Sequence, residues 1–179
     1  MHLIWRSSHF LSKVQLIKER TKFTDELRQS RLDEAFLQLD QLLNASKAER
    51  TWETLGSSIA HDYLHSAYNY LVQAIFAYNR RWRPWRSREL SYLFKLPWLP
   101  EGFEGQILLA TNALSVTQDG YQQRLTLLRQ FFDELVVKCQ RDELYGLNAG
   151  SEAFIRQHDE PGRDWNMVEW NMKHKEGYG

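Results

Sequence analysis

A chain of 179 residues can bury one sizeable core and leaves no room for a second full domain. Its 23 basic and 23 acidic side chains cancel, so no global field draws it onto DNA, RNA or an anionic membrane, and any anion site must be local. The lone cysteine, Cys139, excludes an internal disulfide, no Cys/His cluster has zinc-finger spacing, and every apolar run is far shorter than the roughly 20 residues that cross a bilayer. The N-terminal string MHLIWRSSHFLSK has neither a continuous apolar core nor a small-residue cleavage site, so it does not read as a signal peptide. Together these features predict a cytoplasmic protein with no membrane partner and no long nucleic-acid partner.

Residues 1–23 read as an N-terminal segment, a short amphipathic helix or a linker from a preceding domain, in which Ile4, Trp5, Phe10, Leu11, Val14 and Ile17 need a partner surface. Thr24 is a helix N-cap, and Asp25 and Glu26 in the first turn suit the helix dipole. The helix predicted over 24–44 carries Leu27, Leu32, Ala35, Phe36, Leu39, Leu42 and Leu43 on one broad face, and 44–47 breaks it. A shorter piece over 49–55 ends at Gly56, after which Ser57 or Ser58 caps a long central helix with Ile59, Tyr63, Ala67, Tyr70, Leu71, Ala74, Ile75 and Tyr78 at three- and four-residue steps.

That helix runs into an elbow, where Arg80, Arg81, Arg83, Arg86 and Arg88 interleave with Trp82 and Trp85. A short helix over 87–96 is stopped by Pro97 and Pro100, each of which lacks an amide donor. Residues 103–114 read as a helix with Ile107, Leu108, Leu109 and Ala113 inward. Thr117 or Asp119 starts the last long helix, through about 144, with Leu125, Leu128, Phe132, Leu135, Val136 and Cys139 as its stripe. Period-two alternation is absent, so the fold class is all-α, an up-and-down bundle of four to five helices over 24–145 with a C-terminal tail over 146–179 that contains Phe154, Trp165, Met167 and Trp170. Homo-oligomers are compatible with this pattern.

The elbow admits two readings. Tryptophans beside a proline turn close the end of a bundle, and arginines there complement the negative end of the helix dipole. Equally, guanidinium forks hold phosphate and indole faces accept stacked bases, so the elbow suits one small anionic ligand such as a nucleotide. In the mixed reading Trp82 continues the apolar stripe one turn after Tyr78 and is core, while Arg81 and Arg83 fall off the stripe and face a cleft.

The string Phe76-Ala77-Tyr78-Asn79-Arg80-Arg81-Trp82, followed by Leu96-Pro97-Trp98-Leu99-Pro100 and Gly102-Phe103, resembles the helical domain that follows the catalytic domain in bacterial nucleotidyltransferases of the polymerase-beta superfamily. That domain is HEPN-like and similar to the kanamycin-nucleotidyltransferase C-terminal domain; the resemblance extends more weakly over 32–144. It implies a substrate-binding or partner-docking module for a nucleotidyltransferase domain or subunit, with Tyr78, Asn79, Arg80, Arg81, Trp82 and Arg83 shaping the nucleotide cleft between the two halves. The catalytic half is missing here, because Gly56-Ser57 is followed by no Asp-x-Asp or Asp-x-Glu to hold Mg²⁺ on a triphosphate. No residue is therefore assigned a catalytic role and no cofactor is expected in this chain; Mg²⁺ would belong to an associated catalytic domain. The ribonuclease pattern of HEPN proteins is also missing, since Arg50 lies eleven positions ahead of His61. Rival readings are a non-enzymatic interaction protein, such as one half of a toxin–antitoxin pair, and a metal-dependent hydrolase built on His61 and His65, whose i, i+4 spacing is that of a zinc-binding pair without a third ligand. Cys139, on an apolar stripe, reads as a core residue and not a nucleophile.

Overall fold

Thr24 caps the first helix by accepting from the Leu27 amide at 3.2 Å, and α1 follows as Asp25–Leu42. The computed structural model describes residues 22–112 and 115–158; the readings of 1–21, Ala113 and the chain beyond 158 lie outside them. Asn44 caps α2, Ala45–Tyr78, through the Lys47 amide at 3.1 Å. Gly56 interrupts α2 at φ 84° and ψ 169°, a conformation that residues with a β-carbon rarely adopt, so the helix bends where the glycine was read as a stop. A 3-10 turn, Arg86–Arg88, leads into the single-turn α3, Glu89–Leu93; α4 is Phe103–Thr111, α5 is Gln118–Arg141 capped by Thr117, and α6 is Ala149–His158.

The described residues are all-helical, without a strand, and none of their helices is long and apolar enough to cross a membrane. Helix α1 packs between α2 and α6, α2 packs also on α5, and α5 carries α4. Gln73 meets Glu34 and Arg80 meets Asp25, which sets α1 and α2 antiparallel, whereas Tyr121 reaches Ala48 and Tyr78 reaches Asp142, which sets α5 parallel to α2. The core forms where small residues let helices approach: Ala60, Ala67 and Ala74 recur at seven-residue steps on α2, beside Leu64, Leu71 and Ile75.

Two stripes differ from the sequence pattern. Beyond Gly56 the inward set of α2 begins at Ala60 and Leu64, and Ile59 and Tyr63, one position earlier and about 100° round the helix, are exposed. On α4, Phe103, Ile107 and Ala110 face inward while Leu108 and Leu109 face out, because this nine-residue helix packs one side only, on α5 and more slightly on α2. Residues 149–158, read as tail, form α6, whose small Ala149 and Ala153 sit against α1. Tyr145 anchors the approach: its ring stacks on Phe36 at 4.7 Å, and its hydroxyl donates to the buried Asp33 at 2.6 Å. The Arg156 fork closes on the same carboxylate at 2.9 to 3.2 Å, so the carboxylate is fully partnered.

Candidate functional site at the elbow

The α2 helix ends at Tyr78, and the chain turns by putting Arg80 in the left-handed region, φ 54°, where helix ends usually carry glycine. The amides of Arg80 and Arg81 return to the Ala77 and Phe76 carbonyls at 3.0 and 2.9 Å, which satisfies the last turn. Asn79 then fixes the proline connector on the helix end. Its amide nitrogen donates to the Ile75 and Trp98 carbonyls at 2.8 and 2.9 Å, and its oxygen accepts from the Trp98 amide at 3.0 Å. Tyr78 is buried with its ring edge-on to Trp98 at 4.8 Å, and its hydroxyl donates to Asp142 at 2.6 Å; burial and that bond raise the phenol's pKa. Tyr78 and Asn79 thus join α2, α5 and the connector.

Arg83 has an interior role as well. Its Nε donates to Glu89 at 2.5 Å, and its two terminal nitrogens donate to the Asn69 carbonyl and side-chain oxygen at 3.1 and 3.0 Å. Glu89 is 3 % exposed and accepts from Tyr68 at 3.1 Å; burial, with Glu89 alongside, pushes the Tyr68 phenol up to about 12. Arg80 pairs with Asp25 at the start of α1, and Arg86 lies 3.2 Å from Nε2 of His65. The guanidinium groups of Arg81 and Arg88 bond to no other described residue. Trp82 is 52 % exposed, with Phe23 edge-on at 5.2 Å, and Trp85 is 88 % exposed. The mixed reading is therefore reversed at Trp82, which lies at the surface because the left-handed turn at Arg80 ends the helical register, while Arg83 is half-buried against Glu89.

Of the six residues assigned to a nucleotide cleft, the fold brings Arg81, Trp82 and Arg83 together. They line a 240 Å³ cavity with Phe23, Arg31, Gln73, Phe76 and Ala77; Tyr78, Asn79 and Arg80 are not among its lining residues. Arg31 and Gln73 carry no local motif, and only the α1–α2 pairing places them here.

His61 and His65 do not converge on one point. Arg124 donates to Nδ1 of His61 at 2.8 Å, and Arg86 faces His65. Burial and the Arg124 charge lower the His61 pKa. No group of three or more His, Cys, Asp or Glu side chains gathers among the described residues, so the Mg²⁺ that the resemblance brings with it has no holder among them. Cys139 is buried, and burial pushes its thiol up to about 12, far from a nucleophile's range. Arg124 itself, 5 % exposed, went unread, although its position three residues after Tyr121 and four before Leu128 puts a charge on the apolar stripe of α5.

No protein-family model matches this chain, and no curated protein or solved structure matches it significantly.

Proposed function

We propose that this chain is a helical binding module without a complete catalytic site, and that the outer side of its elbow docks onto a nucleotidyltransferase catalytic domain or subunit. One observation carries the docking reading. The elbow spends Arg83 in the interior and leaves Arg81 and Arg88 facing solvent beside two indoles, one of them 88 % exposed. Exposed Trp and Arg side chains are the residue types that dominate binding hot spots, and they do little for the stability of the isolated bundle. Over residues 80–100 the acidic complement is Glu89 alone, and it is buried toward Arg83, so this segment presents no acid of its own on the outer side, and the surface acid that meets it, Asp25 of α1, pairs with Arg80. The choice of a nucleotidyltransferase as partner rests on the resemblance of residues 76–82 and 96–103 to the helical domains of those enzymes. The triphosphate chemistry and Mg²⁺ would then belong to the partner.

The test is a complex between this chain and a separately produced nucleotidyltransferase catalytic domain carrying the Gly-Ser and Asp-x-Asp elements. Calorimetry should show Trp85→Ala and Arg88→Glu weakening the complex by about tenfold or more with unchanged melting temperatures, and raised salt should weaken the wild-type complex. Variants that bind as the wild type does, or the lack of any complex at about 1 mM, would remove the reading.

A further inference from the structure

The cavity beside Trp82 has a composition that docking alone does not explain. Three arginines line it from two elements, Arg31 from α1 and Arg81 and Arg83 from the elbow, and no carboxylate of a described residue lines it. The other described residues that line it are Phe23, Phe76 and Trp82, with Ala77 and Gln73. The two acids nearest in the bonding pattern are already committed. Glu34 accepts from Gln73 at 2.8 Å and pairs with Arg31 at 3.4 Å, and Glu89 accepts from Arg83 and Tyr68.

Each arginine has a different degree of preparation. Arg83 is fixed by three of its five N–H groups and retains two, so it can offer donors without losing rotamer freedom on binding. The Arg31 pair with Glu34 is long and exposed, a weak interaction that an incoming anion readily replaces. Arg81 bonds through its side chain to no other described residue.

From this we infer that the cavity is a binding site for a single phosphate group carried on a small flat ring, the phosphate among Arg31, Arg81 and Arg83 and the ring against Trp82 and Phe23. A tetrahedral oxyanion presents acceptors toward donors arriving from several directions, which suits three separate guanidiniums better than a planar carboxylate does. The volume of 240 Å³, below the usual 300–1,000 Å³ of sites that engulf a drug-sized ligand, limits the occupant to one phosphate and one ring and rejects a polyphosphate chain. The inference shares Arg81 and Trp82 with the docking reading, but Trp85 and Arg88, the residues varied to test docking, are not among the lining residues, so the two can fail separately.

The test uses the full chain with inorganic phosphate, phenyl phosphate and benzoate as probes, by calorimetry and by tryptophan fluorescence. The expected result is saturable binding of phenyl phosphate, weaker binding of phosphate, and none of benzoate. Arg81→Gln and Arg31→Gln should each weaken phenyl phosphate binding by about tenfold, a loss of about 1.4 kcal/mol, while Arg88→Gln leaves it unchanged. Arg81 is exposed, so its variant should melt with the wild type, and Trp82→Phe, which keeps a ring in the wall, should bind within a few-fold. Benzoate binding as tightly as the phosphate probes, no saturation by about 10 mM phenyl phosphate, or affinity unmoved by Arg81→Gln would each overturn the site. Loss of phenyl phosphate binding in the Arg88 variant as well would overturn its placement in the cavity.

Discussion

Arg124 is a buried cation whose neighbours are not acids. Its Nε donates to the Ala110 carbonyl at 3.0 Å and a terminal nitrogen reaches the Thr111 carbonyl at 3.4 Å, so it complements the negative end of the α4 dipole, while the other terminal nitrogen holds His61. A histidine that accepts at Nδ1 must be neutral there, and a proton on it would face Arg124 at 2.8 Å. Its folded-state pKa therefore lies below the ordinary 6.5. The unfolded chain then takes up the proton more readily, so the stability this contact contributes is complete above about 6.5 and is lost as pH falls below it. Thermal melts should show stability falling from pH 7 to 5, at no more than about 1.4 kcal/mol per pH unit from this one proton, and His61→Gln, which can accept but not titrate, should flatten that part of the curve. An unchanged slope in the variant would assign the dependence to other groups. The elbow gives a second contrast between single side chains. Arg83→Gln strands the buried Glu89 and should cost roughly 3 kcal/mol in denaturant titrations, whereas Arg81→Gln should stay within about 0.5 kcal/mol, although the two residues look alike in sequence.

Among the helices, the starts were legible because capping is local chemistry: Thr24 and Thr117 accept from the amides three residues on, as their positions ahead of apolar runs imply. Gly56 was legible as an interruption, but it bends α2 and neither Ser57 nor Ser58 caps a new helix there. An added β-carbon there would meet nothing within 4 Å, so Gly56→Ala tests backbone strain alone and should destabilise by about 1 to 3 kcal/mol. A smaller loss would mean that the bend relaxes into continuous helix. Arg80 poses the converse case, an arginine in a left-handed turn. Arg80→Gly relieves about 1 kcal/mol of strain and gives up a surface pair with Asp25 of about 0 to 1 kcal/mol, so the melting temperature should hold or rise slightly. A marked fall would show that the Asp25 pair sets the position of α1. Faces were less legible than ends, because a repeat such as Ile59-Tyr63-Ala67 is apolar on paper whether or not a neighbour covers it. The neighbours are chosen by the whole packing: α4 rests on α5 and touches α2, and neither covers Leu108 and Leu109, which stay outside. Helix α6 was hidden by a Gly- and Asn-rich lead-in, and what secures it, Asp33 with Tyr145 and Arg156, spans more than a hundred residues.

For the molecule as a whole, the all-α bundle followed from periodicity, but the candidate site did not, since its membership depends on which elbow arginines the interior claims. Composition marks five; the buried Glu89 takes one, Asp25 and His65 meet two, and the cavity gains Arg31 from another helix. The described residues offer no cluster to hold two metal ions, so the chain incubated alone with Mg²⁺ and a nucleoside triphosphate should release no pyrophosphate above background, and robust turnover would refute the non-catalytic reading. The arrangement of the bundle bears on how docking would be observed. Phe23 abuts Trp82, Asp25 meets Arg80, and the last turn of α6 shares a cavity with Asp25, so the described chain enters and leaves at the pole that carries the elbow. A domain tethered through residue 22 or residue 158 would be confined near Trp85 at an effective concentration in the millimolar range for a short linker. An association too weak to register between separate molecules would then be nearly saturated within one, and the covalent route, more than the strength of the contact, would decide whether the elbow is occupied.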